Sequence, residues 1–135
     1  MAREFTETER LNLLSYRVVG AAIRVHRELG PGLLESAYKA CLACELIDAG
    51  YSVKSEVPLP LVYRGRELKC GYRLDLLVDD SLVVEVKAIE RLDRIHAAQL
   101  LSYLRLSKRK LGLLLNFNVN RLDDGIKRVV NRLPE

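Results

Sequence analysis

Little in this sequence ties it to a membrane, an oxidising compartment or a disordered state. Its 135 residues hold no apolar run near the roughly 20 residues that a membrane span requires, and the opening MAREFTETERLN lacks the apolar core of a signal peptide. Both absences imply a cytoplasmic protein with no membrane partner. Cysteine is sparse and odd in number: Cys41, Cys44 and Cys70 form no disulfide framework, which fits a reducing compartment. Cys41 and Cys44 are one helical turn apart, but no second CxxC follows and no strand leads into them, so packed thiols are expected rather than a zinc or redox site. Low-complexity runs and internal repeats are also missing. What remains is 49% apolar and 30% charged residues, the balance of one folded domain that buries roughly two-thirds of its unfolded surface. The net charge of +4 is modest but uneven, gathered at Arg105, Lys108, Arg109 and Lys110 and again at Arg121, Lys127, Arg128 and Arg132. Such clusters either bind phosphate backbones or form a solvated face.

The stretch Tyr72 to Ala88, YRLDLLVDDSLVVEVKA, alternates as a β-hairpin. Leu74, Leu76 and Val78, then Leu82, Val84 and Val86, share one parity, while Arg73, Asp75, Glu85 and Lys87 share the other. A three-residue loop centred on Asp80 pairs Val78 with Leu82 and Leu76 with Val84, and so sets Asp75 opposite Glu85. Their β-carbons would lie roughly 4.5 to 5.5 Å apart, with Lys87 pointing the same way. A two-residue turn would oppose Asp75 to Val86 and mix the two faces. Facing carboxylates repel, and a divalent cation such as Mg²⁺, which takes one or two carboxylates, would relieve the repulsion. The plainer reading is a solvent-facing strand with a Lys87 salt bridge to either acid.

Around the hairpin the periodicity predicts a packing helix from about Thr6 to Leu29, capped by Thr6 or Thr8 and buried at Leu11, Leu14, Val18, Ala21, Val25 and Leu29. His26 near its end reads as a hydrogen-bonded structural residue. Gly30, Pro31 and Gly32 break that helix, and a second runs from about Leu33 to Ala49 with Leu34, Ala37, Cys41, Leu42 and Leu46 buried. Glu35 in its first turn either meets the helix dipole or supplies a third acid to the hairpin. An extended segment from about Val53 to Tyr63, interrupted by Pro58 and Pro60, suits an edge strand, and after a turn at Arg64 and Gly65 a strand from Arg66 would bend at Gly71 into the Asp75 strand. A helix from about Leu92 to Leu106, capped by Asp93 and buried at Ile95, Ala98, Leu101 and Leu104, carries His96, Gln99 and Tyr103 as a polar stripe. Lys110 to Phe117 then reads as a buried strand beside the hairpin, joined by a right-handed crossover. Residues 121–135 end in a short helix or an edge strand.

The order of Glu35 on a helix, Asp75 on a hairpin, Glu85-Val86-Lys87, and a helix with Gln99 and Tyr103 resembles the PD-(D/E)XK nuclease superfamily over about residues 30–118. More closely, Gly32, Glu35 and Tyr38, followed by YRLDLLV, VVEVKA, AQLLSYL and GLLLNF, are similar to the small prokaryotic proteins named for a GxxExxY signature. Leu74 stands where the superfamily signature has proline. The resemblance implies an α/β, restriction-endonuclease-like three-layer fold with a central mixed β-sheet flanked by helices, in a single domain made of a packing helix (1–29), a core (about 30–118) and an extension (119–135). It implies Mg²⁺, or Mn²⁺, at Asp75, Glu85 and the carbonyl of Val86. Lys87, Glu35 and Gln99 would be catalytic, with Tyr38 and Tyr103 supporting. Arg73, Lys108, Arg109 and Lys110 are the candidates for nucleic-acid contact. The implied activity is hydrolysis of nucleic-acid phosphodiesters, DNA before RNA, through a metal-bound water; the alternative is a catalytically silent module of the same fold that binds nucleic acid or a protein partner. Any sequence specificity would need a protein partner or a homo-oligomer.

Overall fold

The computed structural model describes residues 4–134. Helix α1 (Glu7–Leu29) begins at a capping box in which the Thr6 hydroxyl accepts the Glu9 N–H and the Glu9 carboxylate accepts the Thr6 N–H. It ends at Gly30, which at φ +68 takes a conformation that favours glycine. Helix α2 (Glu35–Asp48) is followed by β1 (Val53–Pro58), β2 (Leu61–Tyr63), β3 (Arg66–Leu68), β4 (Arg73–Val78) and β5 (Leu82–Lys87). Then come α3 (Arg94–Ser107), β6 (Leu111–Asn116), a short 3₁₀ turn (Leu122–Gly125) and β7 (Ile126–Val130).

Five strands form one mixed sheet in the order β1-β4-β5-β6-β7, with β5 and β6 parallel and the other neighbours antiparallel. A parallel pair needs a crossover, and α3 supplies it. The interior strand β6, buried at every position of LGLLLN, has the near-continuous apolar pattern of a strand covered on both faces. One face meets α1 and α2 through Val18, Ala22, Tyr38, Leu42 and Leu46 against Leu76, Val84, Leu113 and Leu115. The other meets α3 through Leu100, Tyr103 and Leu104 against Leu77, Val83 and Leu114. The result is a three-layer α/β fold of the restriction-endonuclease type. Gly112 lets α3 sit close, since a Cβ there would lie 3.1 Å from the Leu100 methyls.

The β4–β5 hairpin has the register that its alternation predicts, Val78 with Leu82 and Leu76 with Val84. Several expectations fail for definite reasons. The hairpin's second face is no solvated surface, because Leu77 and Val83 also lie on it and α3 covers them. Leu74 packs with Leu77 on that face rather than with Leu76, so the strict alternation breaks at Asp75. Leu34 is 78% exposed because it is the extended residue before α2, and Tyr38 takes the buried place. On α3 the buried face is Leu100, Tyr103 and Leu104, with Ile95 and Ala98 exposed, so Tyr103 belongs to the core and not to a solvated stripe. The strand expected from Arg66 into Asp75 stops at Leu68, and β2 and β3 form a separate two-stranded sheet; Gly71, at φ +78, turns the chain between them and β4. Cys41 is half-buried while Cys44 and Cys70 are exposed. Residues 121–135 contain both a 3₁₀ turn and an edge strand, whose exposed Lys127 and Arg128 discourage pairing with another chain. Among the described residues no helix is long and apolar enough to cross a membrane.

Candidate active site

Asp75 and Glu85 meet where the hairpin opens. The β4–β5 ladder pairs residues as far as Leu76 and Val84 and then stops. Beyond that point the side chains replace the ladder: the Asp75 N–H donates to Glu85 Oε1 at 3.1 Å and the Val86 N–H donates to Asp75 Oδ2 at 2.8 Å. Each carboxylate thus satisfies a backbone donor that the diverging strands would otherwise leave unpaired. On the other side of β4 the pairing with β1 also skips Asp75, running Ser55 with Leu76 and then Val57 with Leu74. The β1 residue between them, Glu56, has φ +54, a left-handed conformation that costs about 1–2 kcal/mol in a residue with a Cβ. Strain of this kind concentrates at functional sites.

Glu85 is 5% exposed, and burial followed by the adjacent Asp75 carboxylate pushes its carboxyl up to about 8 from the ordinary 4.5. Near neutral pH Glu85 therefore keeps its proton in the metal-free fold. Lys87, two residues further along β5, is half-buried and its charge draws the Glu85 carboxyl partly back down. No hydrogen bond or ion pair among the described residues holds its ammonium, while its carbonyl is fixed by the Phe117 N–H at 2.9 Å. Tyr103 approaches from α3; burial and then the Glu85 charge push its hydroxyl up, which keeps it a hydrogen-bond donor.

A second lysine completes the site, and the sequence reading does not single it out. Lys39, one turn beyond Glu35 on α2, is ion-paired to Glu56 and stands 3.8 Å from Asp75 Oδ1. The Glu56 bond, with Asp75 and Glu35 adding, holds its pKa above the ordinary lysine value against the opposing effect of burial. The signal that could have found it is the i, i+4 spacing from Glu35 to Lys39. Glu35 itself bonds to neither Asp75 nor Glu85, and among the described residues no group of three acidic, histidine or cysteine side chains is placed to share a metal. Gln99 is exposed one turn before Tyr103 and makes no bond to the carboxylates.

Two further side chains shape the site through the backbone. The Tyr38 hydroxyl donates to the Gly30 carbonyl at 2.6 Å and accepts the Leu33 N–H at 3.1 Å, and its ring stacks on Phe117 with centroids 4.6 Å apart. That pins the Gly30–Leu33 turn from which α2 starts, and with it the positions of Glu35 and Lys39. Asn116, buried beside Lys87, accepts the Ile89 and Asn118 N–H groups and donates to the Ile89 carbonyl, clamping the chain as it leaves β5.

The basic candidates divide. Arg73 opens β4 next to the carboxylates and its guanidinium reaches the Glu56 carbonyl at 3.5 Å. Lys108, Arg109 and Lys110 sit at the opposite end of the sheet: Arg109 binds Asp80 in the hairpin turn and Lys110 pairs with Glu7. Lys108 lines an open cleft there of about 790 Å³.

The donor set at the carboxylate end fits a hard divalent cation: two carboxylates, one of them buried and holding a proton in place of a positive charge. A family model described as PD-(D/E)XK nuclease superfamily matches residues 12–129. No curated protein and no solved structure matches the chain at a significant level.

Proposed function

The chain belongs to the PD-(D/E)XK nuclease superfamily, whose nucleases generally use divalent metal ions, and on that premise we propose that it is a Mg²⁺-dependent nuclease hydrolysing phosphodiester bonds. The observation that carries the proposal is the Asp75–Glu85 carboxyl pair with the unbonded ammonium of Lys87 beside it. Asp75, Glu85 and the carbonyl of Val86 would hold the cation. When bound, it supplies Lewis-acid activation of water and charge neutralisation at the phosphate. The chain's own residues do the rest. Lys87 orients the attacking water or balances charge developing on the phosphate oxygens, and the Tyr103 hydroxyl donates a hydrogen bond from α3. Lys39 holds the outer oxygen of Asp75 in place through its charge, so that both carboxylates keep one geometry. Gln99, exposed on α3, and Glu35, in the first turn of α2, bond to neither carboxylate and would meet the substrate rather than the metal.

The net charge of +4 suits DNA and RNA alike, so the test uses both. Purified protein is incubated with single-stranded, duplex and nicked polynucleotides in Mg²⁺, Mn²⁺ or EDTA. Cleavage is expected with the metals only, and Asp75→Asn should abolish it without changing the circular dichroism spectrum. Absence of cleavage by the wild type under every condition rejects the enzyme reading and leaves a binding module of the same fold.

A further inference from the structure

We propose that the β2–β3 hairpin is an arm that binds unpaired nucleotides and delivers them to the Asp75–Glu85 end of the sheet. The inference rests on the nuclease reading and narrows its substrate to single-stranded or frayed nucleic acid. Strands β1 and β4 are antiparallel neighbours that a two-residue turn could join. Residues 59–72 instead build a projecting hairpin, Leu61 with Leu68, Val62 with Glu67 and Tyr63 with Arg66, around a tight turn in which Arg64 and Gly65 both have positive φ. Isolated hairpins are marginal in water, and this one is exposed along both strands except at the half-buried Leu61.

What the arm exposes has the character of a ligand surface. Val62 is 57% exposed, Tyr63 56% and Tyr72 43%. Around them stand Arg64, Arg66, Lys69 and Arg73, with Glu67 the one acid between residues 59 and 73. Aromatic faces with interleaved cations stack on bases while the charges follow the phosphate backbone. Stacking needs bases that are already out of a duplex, which favours a single strand. The arm also leads to the site. Its base is fixed by the Leu59 N–H bond to the Tyr72 carbonyl at 2.8 Å, and the Tyr72 ring lies 5.8 Å from the ring of Tyr103, whose hydroxyl feels Glu85 and Asp75. A nucleotide stacked on Tyr72 would therefore lie beside the Tyr103 edge of the site.

The test is fluorescence anisotropy of the full chain in EDTA, so that binding is read without cleavage. The probes are a labelled oligothymidylate and a blunt duplex of the same length. The wild type should bind the single strand more tightly. Tyr63→Ala should weaken that binding roughly tenfold and leave duplex binding unchanged, while Tyr63→Phe, which keeps the ring, should bind as wild type. Replacing Arg64 and Arg66 together by alanine should reduce the slope of log affinity against log salt by about 1.4. Equal binding of both probes by the wild type, or a Tyr63→Ala change below twofold, overturns the arm. No binding by the wild type also overturns it and assigns the surface to a protein partner. Metal-dependent cleavage with no effect of Tyr63→Ala defeats the arm alone, whereas arm-dependent binding without cleavage defeats the nuclease reading alone.

Discussion

Replacing Lys87 by methionine is expected to slow metal-dependent cleavage by about 10²–10³-fold, the loss that follows removal of one positioned charge-stabilising donor from an active site. Among the described residues the Lys87 ammonium otherwise does no more than draw the Glu85 carboxyl partly back down. Its backbone is fixed by the Phe117 N–H and by pairing with Asn116, yet among the described residues its ammonium has no hydrogen bond or ion pair to lose. Methionine keeps the length and most of the volume of the stem, so the thermal midpoint should move little. Lys87 is not among the residues that would hold the metal, so Mn²⁺ affinity should change far less than the rate. Single-turnover kinetics at saturating protein separates these effects, and a variant rate within threefold of the wild type would remove Lys87 from the chemistry.

The second large effect is on stability and comes from Glu85. In the unfolded chain its carboxyl ionises near 4.5; in the fold, burial and the neighbouring Asp75 move ionisation up to about 8. Between those values the folded state binds the extra proton, so the stability of the metal-free protein falls as pH rises through that window, at up to about 1.4 kcal/mol per pH unit for one proton. Below the lower value the contribution is fully present, and above the upper one it is lost. Thermal melts of metal-free protein from pH 5 to pH 8 should show the midpoint falling. Glu85→Gln should flatten the profile, and Mn²⁺ should stabilise the wild type most at the alkaline end, where the carboxyl no longer holds its proton. A midpoint that stays flat across the same window would mean that both carboxyls are already ionised inside the metal-free fold.

Period-two alternation was enough to place Asp75 beside Glu85, because a one-residue slip would have put Leu76 and Val84 against the wrong layer. The helices and the buried β6 strand were legible for the same reason: each has one dominant period over many residues. The misreadings fall where two influences compete. Leu74 and Asp75 lie at a break in the alternation that only the skipped pairings on both sides of β4 reveal. Ile95 is apolar at a helical spacing, yet α3 rotates to place Leu100 and Tyr103 on the sheet, and Gly112 on a neighbouring strand is what permits that approach. Lys39 and Glu56 were invisible as a pair because they come from α2 and β1, two elements whose mutual placement no local pattern encodes. Tyr38 could be singled out, but its work in tying down Gly30 and Leu33 depends on its ring lying against Phe117, a contact across most of the chain.

The convergence of Asp75 and Glu85 on one cation is tested most directly by an anomalous difference map from a Mn²⁺-soaked crystal. The account predicts a peak bounded by the carboxylate oxygens of both residues, lost in Glu85→Gln crystals soaked alike. No peak there in the wild type, or the same peak in the variant, would contradict it.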